Sequence, residues 1–425
     1  MALGSAALAA MLPAAANAGP ILKATSATET VAATRKLKRD KTISRRRLVE
    51  MDVAELGRQI LPRGAGTSAN RAEISAGLEG EVTLQLFSNA RVTLKRSGVE
   101  AAFGGGVIWS AAGDNGAKGI LVVNNNRVTG YIENGARTYL VEPIGRGKLH
   151  RVRDVDTNKY KNDIHMDIPG SDGRRRPPKP GGGGGTIVTP PPPGTILQAN
   201  VLGAYTARAF SILGGIPADK IALDVAIVNQ GLTNSTVPLR LTLVGVAAVS
   251  LSYDERVSSD YAQPLYDLTS GTGSNFPAIR EQRNALAADL VTMYADRSEY
   301  CGIAWIGPSP SYAFSVINPA CTGSATLAHE LGHNMGLRHD RYVEAAASAD
   351  VYNYGYVSTQ ARVRDIMSYN NQCSALGISC QRVTYFSNPL ITYNGYPLGI
   401  PKGTGGAADA TRKLGENATA VSSFR

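Results

Sequence analysis

The chain has 425 residues, 43% of them hydrophobic and 6% aromatic, with 44 Lys and Arg against 34 Asp and Glu and a formal charge of +10. That hydrophobic share excludes a chain disordered throughout. The lack of an uninterrupted apolar stretch of about 18 residues excludes a spanning helix, and Gly and Pro clustered without a period exclude a collagen-like fibre. The charge is divided unevenly: residues 1–194 hold 28 basic and 17 acidic residues, and residues 195–425 hold 16 and 17. A polyanion partner is therefore suggested for the first part alone.

Ala2 to Ala18 is uncharged, rich in Ala and Leu, and closes on Ala16-Asn17-Ala18. This pattern predicts a signal peptide over 1–18, although no basic residue precedes the apolar run. Residues 19–50 carry Arg35-Lys36-Leu37-Lys38-Arg39 and Arg45-Arg46-Arg47 and read as a basic flexible arm. From 51 to 169, short runs such as Glu81–Phe87, Arg91–Leu94, Gly119–Val123, Arg127–Ile132 and Arg137–Val141 are punctuated by Asn, Asp and Gly, which predicts antiparallel β-structure. Its histidines, His150 and His165, read as surface residues. A linker follows over 170–194, with three arginines, five consecutive glycines and four consecutive prolines. It is extended in part, flexible in part, and open to cleavage.

Beyond it, Thr195–Thr206 predicts a strand, and Ile216–Gly231 a helix opened by Pro217 and closed by Gly231. Leu239–Val249 predicts a strand, Pro277–Leu290 a second helix leading into a strand at Asp289–Val291, and Cys301–Ile306 and Tyr312–Ile317 two more strands. All four cysteines lie in this half. Their spacing predicts Cys301–Cys321 and Cys373–Cys380, one of three possible connectivities, and an even count fits an exported protein.

The window His329-Glu330-Leu331-Gly332-His333-Asn334-Met335-Gly336-Leu337-Arg338-His339-Asp340 holds three of the chain's five histidines. Four residues advance about 400° around a helix, so His329 and His333 share one face. Ser324 is a candidate N-cap for that helix, and Leu327 and Leu331 supply its apolar face. Gly336 can take the left-handed conformation that ends a helix, and His339 then turns back as a third ligand. Three ligands and an open position are the catalytic arrangement for Zn²⁺, with Glu330 placed as general base toward the water that zinc activates.

HExxHxxGxxH followed by Asp365-Ile366-Met367-Ser368-Tyr369 resembles the metzincin metallopeptidases. With CGIAW at 301–305, TLAHELGHNMGLRHD at 326–340, DIMSY at 365–369 and YFSNP at 385–389, residues 195–425 are most similar to the bacterial peptidyl-Asp metalloendopeptidases, a reprolysin-like group. The resemblance implies an α/β (α+β) catalytic domain with a twisted, mostly parallel sheet and a long zinc-binding helix, here preceded by an all-β-rich propeptide domain. It implies Met367 as an apolar floor beneath the histidines, and Asp340 as a brace for the loop beyond the third ligand. It also implies Tyr312–Ile317 as the edge strand that pairs with substrate. Tyr369 is a candidate for transition-state stabilisation or for packing, since reprolysins commonly carry Pro there.

The resemblance also implies a preference for Asp just after the cut, which needs a cation. Arg338, Arg362, Arg364 and Arg382 flank the site in sequence. The expectation is therefore a secreted bacterial zinc endopeptidase made as a zymogen, acting on proteins or peptides as a monomer when mature, with no nucleic-acid partner and no membrane insertion. Its propeptide would serve as an intramolecular inhibitor; lacking cysteine, it must block the cleft sterically or donate an oxygen or His ligand, with His150, Asp154, Asp156, His165 and Asp167 as candidates. Alternatives are a broad-specificity metzincin, or an exported zinc-containing protein that binds polyanions without catalysis. Whether calcium binds is left open.

Overall fold

In the computed structural model, residues 21–25, 40–60, 80–145, 147–168, 194–271, 276–345, 348 and 350–425 are described. The expected signal peptide and the linker between 170 and 193 lie outside them. Two sheets dominate. The first has nine strands: β1 (Leu22–Ala24), β2 (Ile43–Met51), β3 (Glu81–Phe87), β4 (Ala90–Ala101), β5 (Val107–Gly113), β6 (Lys118–Asn124), β7 (Arg127–Asn134), β8 (Arg137–Pro143) and β9 (Leu149–Val155). They lie in the order β1-β2-β9-β8-β7-β6-β5-β4-β3, and every neighbouring pair is antiparallel.

One face of this sheet buries Val82, Leu84, Trp109, Leu121, Ile132, Val141 and Val152 with Leu56 and Ile60 of helix α1 (Val53–Ile60). The other face buries Ile108, Ile120, Val122, Tyr131 and Leu140 against the second half of the chain. Covered on both sides, β6 to β8 are buried almost without alternation. Ile43–Met51, expected as part of a flexible arm, is instead a strand. Leu48, Val49 and Met51 are buried, and the charge that suggested exposure is met by Asp154, whose Oδ2 lies 2.8 Å from Arg45 Nε.

The second sheet runs β10-β14-β15-β13-β11-β12, comprising β10 (Ile164–Asp167), β11 (Leu197–Tyr205), β12 (Leu239–Ala248), β13 (Leu290–Tyr294), β14 (Gly302–Ile306) and β15 (Phe314–Ile317). All pairs are parallel except β14 with β15. Helix α2 (Ala207–Ile212) follows β11, and α3 (Pro217–Asn234) makes the crossover to β12 and packs on the first sheet. At that interface Lys220 Nζ sits 2.7 Å from Glu142 Oε1, and Asp219 receives Asn124 Nδ2 at 2.8 Å.

Several expectations need correction. Gly231 does not end α3; a Cβ there would lie 2.7 Å from Ile366 Cδ1, so glycine is what lets the helix approach. After α4 (Gln263–Ser270), α5 (Pro277–Ala285) stops short of Leu290, because Ala287 turns to φ +46° and Leu290 is already in β13. Tyr312–Ile317 is not the edge strand: β15 lies inside the sheet, and β14 is the outer strand of the second half, covered by β10. The histidine helix α6 (Thr326–Asn334) has nine residues rather than being long, and Ser324 does not cap it. Ala325 holds the N-cap position at φ +63°, while Ser324 Oγ donates to Cys321 O at 2.6 Å. Both expected disulfides, Cys301–Cys321 and Cys373–Cys380, are formed. No helix among the described residues is long and apolar enough to cross a membrane.

Candidate metal centre and active site

Helix α6 brings His329, Glu330 and His333 to one buried face, all at 0% exposure. It can pass over Met367 only because position 332 is glycine: a Cβ there would sit 2.5 Å from Met367 Sδ. Gly336 takes φ +98°, and Leu337 N–H bonds back to Gly332 O at 2.9 Å, which closes the helix. The chain then enters β16 (Arg338–Asp340), carrying His339.

Each imidazole has its Nδ1 engaged away from the centre. His329 Nδ1 meets Ile366 O at 2.9 Å, His333 Nδ1 meets Leu337 O at 2.8 Å, and His339 Nδ1 lies 2.7 Å from Glu344 Oε1. The two carbonyls place the ring protons of His329 and His333 on Nδ1, and the carboxylate beside His339 Nδ1 favours the same tautomer there, so three Nε2 lone pairs face one another. Their separations are 3.0, 3.1 and 3.1 Å. A cation relieves that repulsion. The triangle's centre is about 1.8 Å from each nitrogen, inside a Zn–N bond of about 2.0–2.1 Å. The donor set therefore fits zinc. Burial, and then the neighbouring rings, push His329 and His333 well below the ordinary histidine range.

Neither carboxylate oxygen of Glu330 has a hydrogen-bond partner among the described residues. Burial first, then the Asp163 charge, raises its carboxyl well above the usual range. It packs on Gly302 of the CGIAW segment, where a Cβ would come within 2.4 Å of Glu330 Oε1. Asp340 accepts Tyr342 N–H at 3.0 Å and Tyr369 N–H at 2.9 Å, tying the loop after His339 to the turn at Met367. Met367 is fully buried. The Tyr369 hydroxyl bonds the Asp163 carbonyl and stands 2.8 Å from His339 Nε2.

The segment before the linker enters this centre. Strand β10 pairs with β14 in parallel, with Ile164 opposite Ile303 and Asp167 opposite Ile306. The His165 ring lies tilted against those of His339 and His333, with centroids 4.6 and 5.1 Å away. Burial and then His339 push its imidazole down to about 4. Candidate ligand atoms of His165, His333 and His339 lie within 4.8 Å of one another, as do those of Asp163, His329 and Glu330. Of the expected inhibitory residues, only His165 therefore reaches the histidines. Far from lying on the surface, His150 is a core residue that accepts Val128 N–H at 3.1 Å. Asp154 is paired with Arg45 and Arg137, Asp156 caps a turn at Asn158, and Asp167 meets Arg338.

The four arginines separate. Arg362 is exposed, and Arg338 bonds Asp167 and Glu344. Arg364 is buried and donates to Ser368 O at 2.6 Å, and Arg382 is buried with its Nη2 3.2 Å from Asp163 Oδ2. Sequence reasoning missed Asp163, Glu344, Gly302 and Gly332. Glu344 could have been sought as the next carboxylate after Asp340, but Asp163 carries no motif spacing at all.

A converging histidine triad on a short helix and strand, beneath a mostly parallel sheet and beside a buried glutamate, defines a zinc metalloendopeptidase. The family model for reprolysin-like metallopeptidases of family M12B matches residues 218–340. The chain is 30% identical over 385 residues to a peptidyl-Asp metalloendopeptidase of Stenotrophomonas maltophilia strain R551-3, covering 86% of this chain and 88% of that one. It is 30% identical over 386 residues to the same-named protein of strain K279a, and 29% identical over 395 residues to that of Xanthomonas campestris pv. campestris, with the same coverage in both cases. The chain belongs to the peptidyl-Asp metalloendopeptidase family.

Proposed function

We propose that the chain is the precursor of a secreted zinc endopeptidase that cuts peptide bonds on the N-terminal side of Asp, and that its own N-terminal part keeps it latent. Zinc, held by His329, His333 and His339, supplies Lewis acidity to the attacking water and to the scissile carbonyl. Glu330 takes the water's proton and passes it to the leaving amine. Burial raises its carboxyl, the direction that favours holding the proton between the two transfers. The Tyr369 hydroxyl is placed to donate to the oxyanion as it develops.

The observation that carries the latent reading is strand β10 on the β14 edge. It uses the backbone donors and acceptors that an extended peptide would use, and it brings Asp163 and His165 against the histidine triad. Removal of this strand would open the edge and the metal site together. Disulfides and a leader-like N-terminus support export.

The test is to purify the secreted product, sequence its N-terminus, and map its cuts in a mixed peptide set. Expected are a new N-terminus beyond residue 168, one zinc per chain, and enrichment of Asp just after the cut. Glu330→Ala should abolish hydrolysis while retaining the zinc. Hydrolysis by Glu330→Ala, or full activity of the intact chain, would overturn the reading; cuts without residue preference would leave a broad-specificity protease.

A further inference from the structure

Arg382 and Arg364 lie side by side on the paired short strands Gln381–Arg382 and Val363–Arg364, 8% and 3% exposed. Arg364 keeps a partner within the second half of the chain: it donates to Ser368 O at 2.6 Å. Arg382 differs. Its Nε is buried with no hydrogen-bond partner among the described residues, and the one carboxylate it meets is that of Asp163, at 3.2 Å. Asp163 is 2% exposed and belongs to the segment whose departure opens the site. Once it leaves, the Arg382 guanidinium is left without the carboxylate that pairs with it, at the place where Asp163 Oδ2 also lies 3.8 Å from His329 Nδ1. A guanidinium fork matches a carboxylate, so an acidic substrate side chain can take the place that Asp163 vacates.

We propose that Arg382 is the residue that selects Asp just after the cut, and that Asp163 fills the same anion pocket in the precursor as an internal stand-in. The assignment deepens the reading of cleavage before Asp and rests on it. In the precursor the backbone around Asp163 sets the side-chain length at this position. Its carbonyl is held by the Tyr369 hydroxyl while its carboxylate reaches Arg382. A glutamate held by the same carbonyl would overreach by one methylene, about 1.5 Å. Asparagine would reach but bring no charge.

The same geometry spares the precursor from cutting itself here. The bond before Asp163 has its carbonyl, on Asn162, turned to Cys301 N–H at 3.4 Å. The carbonyl presented to Tyr369 is that of Asp163 itself, which belongs to the bond after Asp. The strand runs parallel to β14, so the anion pocket is filled while the wrong bond faces the catalytic groups.

The test uses processed wild-type, Arg382→Gln and Arg382→Lys enzymes on matched peptides bearing Asp, Asn, Glu or Ala just after the cut. Arg382→Gln should lower kcat/KM on the Asp peptide by on the order of 10²–10³-fold and leave the Ala peptide within about threefold; Arg382→Lys should fall between. A product peptide with Asp at its N-terminus should bind wild type in calorimetry, and bind Arg382→Gln at least tenfold more weakly. If Arg382→Gln does not fold as a precursor, Asp163→Asn with Arg382→Gln removes both charges and is processed and assayed in its place. Undiminished Asp preference in either variant, or equal losses on the Asp and Ala peptides, overturns the Arg382 assignment while leaving cleavage before Asp intact. A wild-type enzyme indifferent between Asp and Asn sinks the underlying reading as well.

Discussion

His339 Nδ1 and Glu344 Oε1 lie 2.7 Å apart, and the same carboxylate is 3.1 Å from His165 Nδ1 and 3.3 Å from Arg338. Despite burial, the His339, His165 and Arg338 contacts hold the Glu344 carboxyl down at about 2, so it is ionised throughout the working range. It orients the third imidazole, as outer partners of metal ligands do. Glu344→Ala in the processed enzyme should weaken zinc binding by about 10–100-fold in chelator competition. Glu344→Gln, which keeps an acceptor, should lose less. Unchanged zinc affinity in Glu344→Ala would assign the contact to packing alone.

Gly332 and Met367 are matched by shape. Alanine in an exposed helix is better than glycine by about 0.5–1 kcal/mol, but here a Cβ would meet Met367 Sδ at 2.5 Å and Leu337 Cδ1 at 3.4 Å. The clash decides the sign. Gly332→Ala should destabilise the processed enzyme by about 1–3 kcal/mol in denaturant unfolding, and adding Met367→Ala should recover part of the loss. A Gly332→Ala enzyme as stable as wild type would mean that the turn at Met367 yields freely.

The proposed latency predicts that Asp163 and His165 close the site through side chains as well as through strand pairing. In the uncut chain, Asp163→Ala with His165→Ala removes the Arg382 anion and the ring beside His339 while leaving the β14 pairing in place. Strand β10 should then open more often, and hydrolysis by the intact precursor, verified by mass, should rise at least tenfold over a nearly silent wild type. A double variant as silent as wild type would place latency in the backbone pairing alone.

How much of this was readable from sequence depends on how local each relationship is. His329 and His333 are one helical turn apart and His339 lies six residues on, so spacing alone exposed the triad. Short runs punctuated by Asn, Asp and Gly along 81–141 exposed an antiparallel sheet, and the disulfides followed from spacing. Asp163 and His165 acquire meaning only when β10 meets β14, some 140 residues away in sequence, and no local pattern marks them. Gly302 and Gly332 look like ordinary glycines until Glu330 and Met367 occupy the space a Cβ would need. Arg45 suggested a solvated arm because its partner, Asp154, lies in another strand. Which of β14 and β15 is the outer strand is likewise decided by non-local pairing.

At the seam between the two sheets, Glu142 is met by Arg151 at 2.8 Å, Arg153 at 2.7 Å and Lys220 at 2.7 Å. Burial alone would raise this carboxyl, but Arg153, Lys220 and Arg151 outweigh it and hold it well below the usual range. Lys220 is itself pushed down by burial. With the folded pKa below the unfolded value of about 4.3, the folded precursor binds fewer protons at acid pH. The stabilisation is complete above about pH 4.3 and is lost as pH falls toward the folded pKa. Glu142→Gln leaves three cations facing a neutral amide and should cost the precursor about 3–5 kcal/mol at pH 7. Thermal unfolding from pH 7 to 3 should show the gap between wild type and Glu142→Gln narrowing only below about pH 4.3. Glu142 lies before the linker, so the processed enzyme should lack this acid-sensitive step. A gap independent of pH, or the same step in the processed enzyme, would remove Glu142 as the charge that holds the two halves together.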